Sequence, residues 1–305
     1  STFTSNWTEW AANGYGGGHA VRLAAGEILT PAFYLAADKK TIRLDADIQL
    51  SAGLDHLAID RLAFEHPDIV AFESSGALQL DPTLKPLRWE LSTRAFDPGA
   101  LFTAWLQPVL TEPFFEQLQL AGRVRARASL SDSFGLELDL EELTVAHGLD
   151  NAGNPGGNFR VQGVNGNLRW AQGRSSDSHL SWRGGELFGG IGFGPADLKL
   201  SLDERGIVLR EPAQLPLLDG SLQAEQFEFT QTETGPRVAF RGFLTPISMQ
   251  LFSQAVGWPP LAGQISGMIP GVSFQEGALQ VDGVVLVRLF GGRVLIRDLG
   301  LTDLF

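Results

Sequence analysis

The stretch Gly277-Ala278-Leu279-Gln280-Val281-Asp282-Gly283-Val284-Val285-Leu286-Val287-Arg288-Leu289-Phe290-Gly291-Gly292-Arg293-Val294-Leu295-Ile296-Arg297-Asp298-Leu299 decides how the chain is read. Leu279, Val281, Val285, Val287 and Leu289 fall on one parity, and Gln280, Asp282 and Arg288 on the other. Alternation with period two is the signature of a strand with one apolar face. Gly291-Gly292 supplies a two-residue turn that accepts positive φ, and residues 294–299 resume as a second strand. The predicted unit is a long β-hairpin with one greasy side, so the functional question is what that side faces.

Outward from this hairpin the same pattern recurs. Ile42, Leu44, Ala46, Ile48 and Leu50 alternate with Arg43, Asp45, Asp47 and Gln49. Further strands are predicted within residues 54–64, 69–80, 87–95, 124–130 and 136–145. In the second half Leu198, Leu200, Leu202, then Phe227 and Phe229, then Val238 and Phe240 continue the series between Gly- and Asp-rich turns. The period changes twice. Asp97-Pro98 opens a short helix over about residues 98–107, and Pro246 opens another over about 247–256, since Pro suits the first turn of a helix. Each helix is followed by an echoed motif, Leu120-Ala121-Gly122-Arg123-Val124 and Leu261-Ala262-Gly263-Gln264-Ile265, which points to an internal duplication. Residues 150–158, Asp-Asn-Ala-Gly-Asn-Pro-Gly-Gly-Asn, read as a linker between a β-rich segment 1–149 and a second β segment 159–305.

Composition narrows the function. A net charge of −12 offers no basic stripe to displace counterions from a phosphate backbone, so no nucleic-acid partner is expected. The chain has no cysteine, which removes disulfides, thiolate nucleophiles and Cys-based zinc sites. It contains no apolar run long enough to span a bilayer. The chain opens on Ser1 and stops at Leu304-Phe305 within an apolar pattern, so an excised portion of a longer protein is expected.

Chemistry-bearing constellations are sparse. His19, His56, His66, His147 and His179 are scattered without metal-ligand spacing, and no nucleophile elbow, Walker sequence or dinucleotide fingerprint appears. Glu137, Asp139 and Glu141 share one strand face opposite Leu136, Leu138 and Leu140, which reads as a solvated face in preference to a cation site. Trp7, Trp10, Trp89, Trp105, Trp170, Trp182 and Trp258 lie mostly near Gly or Pro, as turn and core anchors do; a sugar-stacking role is the alternative. No catalytic residue, cofactor or metal is expected.

What stands out is one-sided strand with little helix to cover it. An apolar sheet face must be hidden against another layer. The sheet therefore either closes as a β-sandwich or curls into a trough whose wall meets an apolar guest.

A resemblance bears on that choice. Val164-Asn165-Gly166-Asn167-Leu168-Arg169-Trp170, Leu217-Leu218-Asp219-Gly220, Gly257-Trp258-Pro259-Pro260-Leu261-Ala262-Gly263, Ile269-Pro270, Glu276-Gly277-Ala278-Leu279 and Leu289-Phe290-Gly291-Gly292-Arg293-Val294 follow one another in this order. Together they resemble the AsmA-like bacterial envelope proteins, most closely the YdbH branch with its so-called dicarboxylate transport domain, over residues 159–305. The resemblance implies a protein of the Gram-negative periplasm, held at the inner membrane by an anchor absent from this chain. It further implies passage of phospholipid toward the outer membrane along a hydrophobic β-groove, with other envelope proteins as possible partners. The dicarboxylate label finds no support, because a dianion wants Arg or Lys aimed at it and the apolar faces offer none.

The expectation is a mostly β protein: an elongated, strongly curved antiparallel sheet forming a hydrophobic groove, with two short helices, and a closed β-sandwich as the alternative. Its expected task is non-enzymatic binding and transfer of phospholipid acyl chains; an envelope carbohydrate- or protein-binding module is the rival. Candidate lipid-binding residues are Leu198, Leu200, Leu202, Phe227, Phe229, Val238, Phe240, Leu279, Val281, Val285, Val287 and Leu289.

Overall fold

The computed structural model describes residues 2–6, 8–10, 14–37, 40–80, 84–148, 158–188, 190–232, 235–275, 278–289 and 292–301; within these, the side chains of 8–10, 232, 235–236, 269–275, 278–287, 289 and 296–301 are not described. The fold is mostly β, as the alternation predicts. Strands hold 68% of the residues and join in one large antiparallel sheet that is not closed into a barrel, with only a few short helices. Among the described residues the other sheet is a ribbon of two strands. The chain divides into two compact units, one of Ser1–Glu116 and Leu120–Glu141, the other of Gln117–Gln119 and Glu142–Phe305. The division falls inside a strand, at Glu141/Glu142. Of residues 150–158, read as a linker, only Asn158 is among the described residues.

The first unit contains β1 (Thr2–Ser5), β2 (Thr8–Trp10), β3 (Gly14–Leu23), β4 (Glu27–Leu29), β5 (Tyr34–Ala36), β6 (Ile42–Ser51), β7 (His56–His66), β8 (Val70–Gln79) and β9 (Lys85–Thr93), then most of β10 (Leu118–Leu130) and the start of β11 (Phe134–His147). From β6 onward each strand pairs with the next: β6 with β7, β7 with β8, β8 with β9 and β9 with β10, while β3 adds to β6 across the β4–β5 ribbon. This up-and-down order follows from the short turns. Ser51 Oγ and Asp55 Oδ1 lie 2.6 Å apart in the β6–β7 turn, and Asp68 takes φ 65° in the β7–β8 turn. The register stacks apolar residues in rows, Leu44↔Phe64↔Phe72 and Ile48↔Ile59 among them. Register shifts punctuate β6–β7, β7–β8 and β8–β9. A bulge bends and twists the strand that carries it, and Ile59 and Leu62, three residues apart, stay on the apolar side because Asp60 and Arg61 both turn outward.

The second unit continues with β12 (Phe159–Ala171), β13 (Ser176–Trp182), β14 (Gly184–Leu187), β15 (Ile191–Phe193), β16 (Ala196–Leu202), β17 (Gly206–Leu209), β18 (Ala213–Leu217), β19 (Gly220–Thr232), β20 (Gly235–Ser248), β21 (Gly263–Gln275), β22 (Ala278–Leu289) and β23 (Gly292–Leu301). The shorter ones are halves of long strands. β13 and β14 both lie along β12, β15 pairs with β14 while β16 pairs with β13, and β17 and β18 both lie along β19. The remaining strands pair in sequence order from β19 to β23. The Gly277-to-Leu299 hairpin read first is therefore β22–β23, and Val287↔Val294 and Leu289↔Gly292 close it.

Helices occupy the two predicted places with different bounds. In the first unit Asp97 caps α1 (Pro98–Leu101) by accepting the Gly99 N–H at 2.8 Å, and a π-helical turn Phe102–Leu106, a 3-10 turn Gln107–Val109 and α2 (Pro113–Glu116) follow. In the second, the helix α3 (Met249–Ala255) starts after Pro246, because Ile247 and Ser248 still belong to the ladder opposite Ile265 and Gln264. The echoed motifs occupy equivalent positions. Phe96 pairs with Val124 and Ile247 with Ile265, a helix N-cap follows directly in each case, and Gly122 and Gly263 take φ 131° and 136°. Such a φ favours glycine, which is why the motif keeps one there.

Candidate functional site

Each unit presents a charged sheet face and an apolar one. On the charged face of the first unit Arg22 pairs with Asp45 at 2.8 Å, Arg43 with Glu65 at 3.2 Å and Arg61 with Glu73 at 3.0 Å. Glu137, Asp139 and Glu141 belong here too. Arg127 reaches Glu137 at 3.1 Å and Asp139 at 3.6 Å, and Arg123 reaches Glu141 at 2.6 Å. Carboxylates already neutralised by guanidinium groups have little left for a cation, and no group of three metal-ligating side chains occurs among the described residues. The second unit repeats the arrangement with His179–Asp197 at 2.7 Å, Lys199–Glu211 at 2.9 Å and Arg210–Asp177 at 3.6 Å. The Glu211 carboxylate accepts from Lys199 Nζ and holds the ammonium pKa above its ordinary value.

The opposite face of the second unit holds the candidate site. Leu198, Leu200 and Leu202 alternate with Asp197, Lys199 and Ser201 along β16, so the ion pairs on one side dictate where the leucines go. Leu200, Leu209 and Ala224 are buried, and Leu198, Leu202, Phe227 and Phe240 pack partly buried against them. Phe229 sits opposite Ile207 and Val238 in the adjoining row, and both side chains are half-buried. Seven of the predicted residues thus come together on or beside one cluster. Every side chain in that cluster belongs to β13 or to β16 through β20; no residue of α3 joins it.

Leu279, Val281, Val285, Val287 and Leu289 have side chains outside those described, and only their backbone register is given. Leu279 lies opposite Phe274, itself opposite Val238, and Val281 lies opposite Val272, itself opposite Phe240. These two extend the rows of the cluster, since directly opposed residues share a sheet face. Register shifts between Met268 and Gly271 and between Val281 and Val284 separate them from Val285, Val287 and Leu289. Parity counted straight from Leu279 to Leu289 does not carry across such a shift. Ala224 and Phe227 show why: three residues apart, on opposite parity, they share the cluster because a bulge intervenes. Sequence reasoning missed Ala224 for the same reason, and it missed Leu180 and Leu215, whose strands are broken into halves.

The apolar face of the first unit is closed at one place by the chain itself. Leu35, Ala37 and Ile42 are buried there with Leu23, Phe33, Phe64 and Trp105 packed on them. Trp105, from the π-helical turn, meets Phe64 edge-on at 5.7 Å and Phe33 at 6.0 Å, and its indole N–H donates to His66 Nδ1 at 3.1 Å. Burial pushes the His66 pKa below its ordinary value.

Two other tryptophans serve as anchors. Trp170 Nε1 donates to the Asp203 carbonyl at 2.9 Å and Trp182 Nε1 to that of Gly194 at 3.2 Å. Trp258 is 56% exposed and rests edge-on against Phe252. Trp7 lies outside the described residues and the Trp10 side chain outside the described side chains. No family model, no curated protein and no solved structure matches the chain.

Proposed function

We propose that the chain binds lipid acyl chains against its apolar strand faces and passes them along those faces without chemistry of its own. The observation that carries this reading is the strand-only cluster of the second unit, where Leu198, Leu202, Phe227 and Phe240 stay partly exposed and, among the described residues, no helix contributes a side chain to it. An apolar sheet face left without its own second layer gains from a guest that supplies one. Each methylene moved from water onto such a face contributes about 0.8 kcal/mol, so an acyl chain gains several kcal/mol without any polar contact. The charged side of the same strands carries ion pairs and presents no comparable apolar surface. The resemblance to AsmA-like proteins adds the setting proposed for this activity: the Gram-negative periplasm, a phospholipid cargo, and an inner-membrane anchor in the full-length protein.

The test is organic extraction of purified protein followed by mass spectrometry, with a photocrosslinking residue placed at Phe240 to locate the guest. Co-purifying phospholipid crosslinked at Phe240 is the expected result. Leu198→Asp puts a charge on the half-buried rim of the cluster and should lower bound lipid several-fold while the far-UV circular dichroism stays unchanged. Lipid-free protein that instead binds glycans would replace this reading with the carbohydrate-binding one.

A further inference from the structure

The charged clefts beside Arg43, Arg61 and Glu73 and beside His179, Lys199 and Glu211 are occupied by their own ion pairs. The inserted segment over the first unit's apolar face holds more. Residues 98–109 carry no charged side chain, whereas the strands on either side of them, β9 and β10, carry Lys85, Arg88, Glu90, Arg123, Arg125 and Arg127. Their docking rests on Phe102, which is buried, and on Trp105, whose ring closes the Leu35–Ile42 cluster. A π-helical turn carries both, and π turns are costly departures from regular helix that recur where a segment has work to do.

The polar contact that orients Trp105 depends on protonation. An imidazole Nδ1 accepts a hydrogen bond only while it carries no proton, so the bond from the Trp105 indole requires neutral His66 with its hydrogen on Nε2. Protonation would set two N–H groups facing each other. Among the described residues the surroundings offer His66 no ready compensation. Its ladder partner on β8 is Val70; β6 contributes Ile42 to the cluster, and the insertion contributes to it the Trp105 ring, whose N–H is the donor itself. In the adjoining turn Asp68 is engaged by Lys40, and on the opposite face of β7 Glu65 is engaged by Arg43. Glu27, on the ribbon that brings Phe33 and Leu35, is exposed.

We propose that residues 98–109 form an acid-released cover over one end of the first unit's apolar face, latched by the hydrogen bond between Trp105 and His66. At neutral pH the latch holds and the cluster is closed. As pH falls below 6.5, the ordinary histidine value, the released form takes up the proton more readily than the latched one. The sign follows from linkage: a histidine whose pKa is depressed by docking favours the docked state above its free pKa and opposes it below. The latched-to-open ratio then falls about tenfold per pH unit until the depressed value is reached. Opening exposes Leu35, Ile42 and Phe64 to whatever occupies that face, and the switch does not depend on that guest being a lipid.

Because the chain has no cysteine, Thr103→Cys gives a single spin-label position on the exposed side of the cover. Electron paramagnetic resonance of the labelled protein should show an immobile label at pH 7.5 and a growing mobile fraction toward pH 5, with a midpoint that matches the NMR titration of the His66 ring. His66→Gln retains an acceptor for the indole at every pH, so its label should stay immobile throughout. A label that ignores pH in the parent protein, a midpoint that departs from the His66 titration, or a His66→Gln variant that keeps the full pH response would each overturn the proposal.

Discussion

The two apolar clusters are built from the same kind of strand face and end differently. In the first unit Trp105 arrives from an insertion between β9 and β10 and roofs the cluster; in the second, the equivalent insertion between β20 and β21 is the shorter helix α3, and no residue of it reaches the cluster. The echoed motifs and their matching glycines show that both insertions leave the sheet in the same way. Length and the placement of one aromatic ring, Trp105, on the cluster make the difference. Residues 98–116 are long enough to fold back over the sheet, whereas α3 buries Met249 and Ser253 locally and ties off through the Leu261 N–H on Ser253 Oγ. Two insertions that leave the sheet alike can therefore differ in whether they place a side chain on the apolar cluster beside them.

That contrast makes energetic predictions. Trp105→Ala removes the roof and opens a cavity beneath it, and should cost about 3 kcal/mol in chemical denaturation of the first unit. Leu200→Ala, in the buried floor of the bare cluster, should cost about 2 kcal/mol. On the half-buried rim Leu198→Ala should cost only about 1 kcal/mol, since little of its surface loses a partner. Equal losses for Trp105→Ala and Leu198→Ala would erase the distinction between the two faces. Lys199→Ala and Arg61→Ala test the charged sides, which the two units share; each should change stability by no more than about 0.5 kcal/mol, because exposed ion pairs are screened.

The smallest effect concerns pH. Hydrogen bonds from Ser51 and His56 hold the Asp55 carboxyl below its ordinary 3.8. A depressed carboxylate contributes stability above its unfolded pKa and loses it as pH falls through the folded value. An acid titration of the parent protein should therefore show a slight loss below pH 3.8 that Asp55→Asn lacks, with the His66-linked release appearing well above it.

How much of this was legible depends on distance along the chain. Alternation in residues 42–50 and 198–202 foretold both faces of β6 and β16, because side chains on a strand point to opposite sides regardless of what lies beyond. Asp97-Pro98 announced a helix through local capping geometry. Bulges were not legible: an inserted residue shows only when the partner strand reveals which pair has slipped, as at Ala224 and Gln226. The start of α3 was likewise displaced, since the ladder opposite β21 holds residues 247 and 248 that Pro246 had assigned to the helix.

The amino-acid order settled the strands, their two-faced character, the places of the helices and the absence of cysteine chemistry, because these follow from spacing and composition within a few residues. Folding in three dimensions settled that Trp105 would find His66, 39 positions earlier, and that Phe227 would pack with Leu198. It also settled that one apolar face would be roofed while the other was lined by strands alone. Those outcomes turn on how sheet register and loop length bring remote segments together, and hydrophobic burial, being non-directional, does not specify a partner in advance.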